Sequence, residues 1–124
     1  MCVAASLSRF QACSGLKAVH MSRTAAGDPS VLALARGCPT LELIDVCHNS
    51  DVTDLSMTHL AEYCPRLETV AVSWCLGVTD VSVQALVACC PQITKLEVRD
   101  CFAVTDISLS LVREARPECK ILEF

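Results

Sequence analysis

The sequence predicts an α/β solenoid, a coil with short parallel strands inside and helices outside, and three observations carry that expectation. Pro39, Pro65, Pro91 and Pro117 recur at a constant interval of 26 residues. Just after each of the first three, apolar residues stand at the first, fourth and sixth positions of a segment, as in Leu41, Ile44 and Val46, and the last two alternate as a strand does. An aspartate then precedes an apolar series at helical spacing, as Asp80 precedes Val81, Val83, Leu86 and Val87. A strand, turn and helix of this length cannot bury their own apolar face, so neighbouring units must stack.

The elements follow in order. Residues 1–12 read as the helix of a partial preceding repeat, with Val3, Leu7 and Phe10 on one face. Repeats fill 13–124, in units near 13–38, 39–64, 65–90 and 91–116 and a partial unit at 117–124. The first unit is one residue short; its strand carries Leu16, Val19 and Met21, and its helix opens at Asp28-Pro29, where a first-turn proline sacrifices no hydrogen bond. The next strands carry Leu41, Ile44 and Val46, then Leu67, Val70 and Val72, then Ile93, Leu96 and Val98. Their helices begin at Asp54, Asp80 and Asp106, and each aspartate is expected to cap its own helix by accepting bonds from free amides. The prolines after each helix stop it. CKILEF closes the chain, with Phe124 at the sixth strand position.

The strand segments LELIDVCHN, LETVAVSWC and ITKLEVRDC fit L-x-x-L-x-L-x-x-[N/C], the pattern of a leucine-rich-repeat horseshoe. Asn49, Cys75 and Cys101 take the turn position, where a small polar group satisfies backbone hydrogen bonds, and Thr24 stands there in the short unit.

Composition narrows the function. Apolar residues make up 52% of the chain and charged ones 19%, the balance of a folded protein. A net charge of −4 leaves no broad basic surface for nucleic acid. Charged residues interrupt every apolar run short of the ~20 needed to span a bilayer, and the amino terminus lacks the pattern of a secretory signal, so a cytoplasmic or nuclear location is expected. Ten cysteines would suggest disulfides in a secreted chain, yet Cys38, Cys64 and Cys90 repeat at the 26-residue interval, as do Cys75 and Cys101. Buried thiols are the expectation, although stacked Cys75 and Cys101 lie within bridging range. No C-x₂₋₄-C pair marks zinc. Neither a phosphate loop nor a dinucleotide fingerprint marks a cofactor, so none is expected. Cys47 and His48 are adjacent on a strand, poor geometry for a nucleophile and its base, and no enzyme is expected.

With cysteine at the turn and C-P after the helix, as in C-P-x-L…C-x-x-V-T-D, residues 13–124 resemble the cysteine-containing leucine-rich repeats of F-box/LRR proteins. The resemblance implies the substrate-recognition repeats of an SCF ubiquitin ligase, with an adaptor bound only where an F-box segment accompanies them, and no such segment is visible in this sequence. Without polar capping units at either end, the chain is expected to be a piece of a larger protein. The alternative is a stand-alone repeat adaptor, or one that self-assembles through open ends.

A protein partner or degradation substrate would sit on the concave face, whose residues alternate with the core positions. They are Ala18, His20, Ser22 and Arg23; Leu43, Asp45, Cys47 and His48; Thr69, Ala71, Ser73 and Trp74; Lys95, Glu97, Arg99 and Asp100; then Ile121 and Glu123. Arg23, His48, Trp74 and Asp100 form one column across the strands. Trp74 reads either as an interface anchor or as a ring lying back over a neighbouring turn. His48 reads as a binding residue or a solvated histidine, and Lys95, Glu97, Arg99 and Asp100 as a recognition patch or as local ion pairs. The five strands offer roughly 300 Å² in projection against the ~800 Å² of a standard interface.

Overall fold

The computed structural model describes residues 15–123. The helix expected over 1–12 and the strand position expected for Phe124 lie outside the described residues. Five three-residue strands alternate with four ten-residue helices: β1 Ala18–His20, α1 Asp28–Gly37, β2 Leu43–Asp45, α2 Asp54–Tyr63, β3 Thr69–Ala71, α3 Asp80–Cys89, β4 Lys95–Glu97, α4 Asp106–Ala115 and β5 Lys120–Leu122. The strands pair in parallel in sequence order, and each helix packs on the next. The fold is the α/β solenoid that the repeat predicts.

The core lies between sheet and helices. Val19, Ile44, Val70 and Leu96 point into it from the strand centres, and Val31, Met57, Val83 and Leu109 meet them from the helices, all at most 4% exposed. Residue i of one unit therefore contacts its equivalent in the next, and such contacts stack into continuous ladders.

One ladder overturns the expected role of the aspartates. The N-cap residues are Gly27, Thr53, Thr79 and Thr105, one position earlier, and each threonine hydroxyl accepts the amide two residues on. The aspartates begin the helices, and three of them reach into the following repeat. Asp54 accepts the Thr79 amide at 2.9 Å, the Thr79 hydroxyl at 2.6 Å and the hydroxyl of Ser82. Asp28 does the same for Thr53 and Ser56, and Asp80 for Thr105 and Ser108. Ser56, Ser82 and Ser108 are fully buried. The carboxylate thus serves the start of the next helix, where unpaired amides favour negative charge.

At the other helix end, Cys38, Cys64 and Cys90 are buried C-caps, each followed by its proline. The Cys64 thiol donates to the Cys38 carbonyl at 3.3 Å, and that of Cys90 to the Cys64 carbonyl at 3.6 Å. In the last unit Arg116 holds the cap position, and its guanidinium donates to the Val87 carbonyl at 3.0 Å.

The turn residues form a third ladder. Asn49 donates to the carbonyls of Met21 at 2.7 Å and Val46 at 3.0 Å and accepts the Ala26 amide at 3.1 Å. The Cys75 and Cys101 thiols each donate at 3.0 Å to the preceding repeat, at Val46 and Val72. The Thr24 hydroxyl donates to the Met21 carbonyl of its own unit at 2.7 Å. The loops between strand and helix pack closely enough that a Cβ on Gly77 would stand 3.0 Å from the Val52 carbonyl oxygen.

The last strand departs from the expected register. Leu96 pairs with Ile121, a step of 25 residues, where Val70 to Leu96 is 26. Ile121 therefore packs against the core, and Lys120 and Leu122 take the face expected for Ile121 and Glu123. Placing the apolar Ile121 inward is what the slip achieves, since a one-residue shift exchanges the two faces of a strand.

Candidate functional site

The sheet face opposite the helices carries the remaining side chains, and a depression of about 310 Å³ lies across it. Small residues, Ser22, Cys47 and Ser73, line it together with the rings of His48 and Trp74. Arg23 and Arg99 contribute guanidiniums, and Asp45 and Glu97 carboxylates. Cys47, Ala71 and Ser73, expected to be exposed, are only 6 to 8% so. Cys47 and Ser73 still line the depression, as small side chains on its floor.

The column at the strand ends is held by backbone geometry. Arg23, His48, Trp74 and Asp100 all have positive φ, between 56° and 64°, and the first three amides donate to the carbonyls of Cys47, Ser73 and Arg99 in the next repeat. Left-handed backbone disfavours residues with a Cβ. Large side chains therefore stand at turns where glycine would relax the chain, a pattern that directs attention to what those side chains do.

Three of the four touch in sequence. Arg23 Nη2 lies 3.4 Å from His48 Nε2. The His48 and Trp74 rings stack at 5.9 Å with 17° between their planes. Beyond Trp74 the column does not continue to Asp100; Phe102 meets the indole edge-on at 6.3 Å instead. Phe102 is 74% exposed and Trp74 43%. Trp74 is thus partly covered by the His48 and Phe102 rings and partly open. Phe102 escaped sequence analysis because it lies past the strand motif, yet Leu76, also exposed, holds the equivalent place one repeat earlier.

The charged residues separate into two groups. Asp45 Oδ2 lies 3.7 Å from His20 Nδ1, and its other oxygen accepts the Cys47 amide at 3.1 Å. Lys95 and Glu97 pair at 3.4 Å. Among the described residues, Arg23, Arg99 and Asp100 form no ion pair.

Burial, with the Asp45 carboxylate beside it, pushes the Cys47 thiol up to about 12. Burial likewise raises Cys64 and Cys90 to about 12 and Cys75 to about 11. Because only the thiolate attacks, iodoacetamide at mildly alkaline pH is expected to leave these four unmodified in the folded protein and to label them in urea. Intact-mass measurement checks this, and rapid labelling of Cys47 in the fold would show that its thiol is open. Among the described residues, no three His, Cys, Asp or Glu side chains converge as a metal requires, and no helix is long and apolar enough to cross a membrane.

No protein-family model matches the chain, and no curated protein sequence matches it significantly. Solved structures do. The C-terminal domain of tropomodulin from Caenorhabditis elegans superposes with a TM-score of 0.72 at 12% identity, covering 95% of this chain and 80% of that one. A chain of the yeast Rad7 and Elc1 complex superposes with a TM-score of 0.64 at 22% identity, covering 79% of this chain. This chain spans 23% of the length of that one. At these identities the likeness shows the fold.

Proposed function

We propose that this chain is a protein-binding module without catalysis of its own, and that the open sheet face carrying Arg23, His48, Trp74 and Arg99 holds the partner. The observation behind this reading is the half-exposed Trp74, stacked on His48 beside two arginines that form no ion pair among the described residues, on the sheet face opposite the described helices. Tryptophan and arginine are enriched among the few residues that carry most of the binding energy at interfaces. Against catalysis stands Cys47, whose thiol is covered and pushed to about 12 while His48 engages Arg23 and Trp74. The acidic chain gives no reason to expect nucleic acid or membrane as a partner, nor is a cofactor proposed.

More narrowly, we infer the substrate-recognition repeats of an F-box/LRR-type SCF ubiquitin ligase subunit, acting in the cytoplasm or nucleus. Support comes from the C-P-x-L…C-x-x-V-T-D resemblance and from a similarly folded chain in a complex of Rad7 with Elc1. Adaptor binding would require an F-box segment beyond these repeats.

A photo-crosslinking residue at position 74, compared with one at Gln84 on the exposed surface of α3, tests the binding face. Adducts with one partner are expected from position 74 only, and adducts from position 84 alone would overturn the assignment. Trp74→Ala is expected to change stability by less than about 1 kcal/mol while reducing capture of that partner at least tenfold, since a half-exposed ring contributes little to folding. A larger loss of stability would place Trp74 in the packing. For the narrower reading, the partner's half-life in cells should lengthen when Trp74→Ala replaces the native protein, and an unchanged half-life would leave an adaptor without a ubiquitin role.

A further inference from the structure

We propose that the open sheet face takes an extended acidic peptide segment, in which two carboxylates four to five residues apart bracket an apolar residue resting on Trp74. This rests on the reading of that face as the binding surface and adds the chemistry of the occupant.

The carboxylate of Asp45 is occupied by His20 and the Cys47 amide, and that of Glu97 by Lys95. Arg23 has only the His48 ring beside it, and neither it nor Arg99 forms an ion pair among the described residues. Of the four charged side chains that line the depression, the two carboxylates thus have hydrogen-bonding or charged neighbours and the two guanidiniums have no carboxylate beside them, although Asp100, next to Arg99 in the chain, is also without an ion pair among the described residues. Guanidiniums in such a setting bind carboxylates in paired hydrogen bonds.

Spacing comes next. Arg23 follows β1 and Arg99 follows β4, three strand intervals apart. At ~4.8 Å per interval, with Arg23 one residue further along its strand, the two lie about 15 Å apart, the rise of four to five extended residues. Trp74, following β3, stands between them with its ring half open. The floor between the arginines is made of Ser22, Cys47 and Ser73, small enough for a backbone to approach.

Size agrees. A face of roughly 300 Å² falls short of a domain-sized interface of ~800 Å² but accommodates one peptide strand.

Three labelled peptides test this by fluorescence anisotropy: one with glutamates at positions i and i+4 around a central leucine, a second with glutamines in their place, and a third with phosphoserines. The glutamate peptide is expected to bind about tenfold more tightly than the glutamine one, with the difference shrinking as salt rises and largely lost in Arg23→Gln and Arg99→Gln. Both substitutions are on exposed side chains, and circular dichroism confirms that the fold is kept. Equal binding of glutamate and glutamine peptides overturns the proposal, as does a glutamate preference that both arginine variants retain. Binding of the phosphoserine peptide alone also overturns it and assigns the face to phosphorylated segments. If the peptides show no charge preference while crosslinking through position 74 persists, the acidic-segment reading alone fails. Loss of both removes the binding face itself.

Discussion

Asp54→Ala is expected to destabilise the protein by about 3 kcal/mol, although Asp54 is neither in the core nor in the candidate site. The carboxylate accepts three hydrogen bonds from the next repeat, two from Thr79 and one from the fully buried Ser82. Removing it leaves the Ser82 hydroxyl and the Thr79 amide without their acceptor, and a bond to a charged group contributes about 1.5 to 3 kcal/mol net of exchange with water, less where water can replace the lost partner. Asp106 gives the internal control. It opens α4 as Asp54 opens α2, yet among the described residues it accepts no such bonds. Asp106→Ala should therefore cost under about 1 kcal/mol, the size of a helix-dipole effect. Equal losses for the two variants in urea titrations would remove the ladder as a source of stability.

The same ladder is expected to make stability fall in acid. Partial burial pushes the Asp54 carboxyl upward, but bonds from Ser82 and Thr79 outweigh it and hold the group below its ordinary value of 3.8. Asp28 and Asp80 are lowered by the same balance, against Ser56 and Thr53 and against Ser108 and Thr105. A carboxyl that is more acidic folded than unfolded stabilises the fold fully above the unfolded value, and the contribution is lost as pH falls through the folded value. The native protein should accordingly lose more stability than Asp54→Ala between neutral pH and pH below 3.8. Parallel pH profiles for the two proteins would contradict the assignment.

Asn49→Ala is expected to cost about 2 to 4 kcal/mol, by a different route. Asn49 is buried, joins two repeats through the Met21 carbonyl and the Ala26 amide, and closes its own turn at Val46. Alanine leaves the buried Ala26 amide without an acceptor and strips the Met21 and Val46 carbonyls of one donor each, leaving them the Thr24 hydroxyl and the Cys75 thiol. Asn49→Cys should recover about half of the loss, because Cys75 and Cys101 show that a thiol at this position donates one bond to the preceding repeat. Thermal or urea unfolding distinguishes the two variants; equal loss from both would mean that the bond to the preceding repeat contributes nothing.

Much of this architecture was legible in the residues themselves. A 26-residue period, strand alternation and helical spacing are local patterns, and stacking follows because one unit has nowhere else to hide its apolar face. The recurrent T-D-x-S of Thr53 to Ser56, Thr79 to Ser82 and Thr105 to Ser108 was present in the sequence too, but its meaning was not. Within one unit the aspartate looks like the cap of its own helix. Its true partners lie about 25 residues on, and only stacking brings them within hydrogen-bond reach.

Tertiary structure decided three further matters. It set the last strand one residue out of period, because packing Ile121 inward outweighed continuing the count. It covered Cys47, Ala71 and Ser73, since exposure depends on neighbours across strands as well as on alternation along one. It also joined Arg23, His48, Trp74 and Phe102 into one edge while leaving Asp100 out. The sequence determined which residues repeat and which face they share, because period and alternation are properties of the chain. Which of those residues touch was decided by the fold, because contact between repeats depends on register, backbone handedness and side-chain size in three neighbouring units at once.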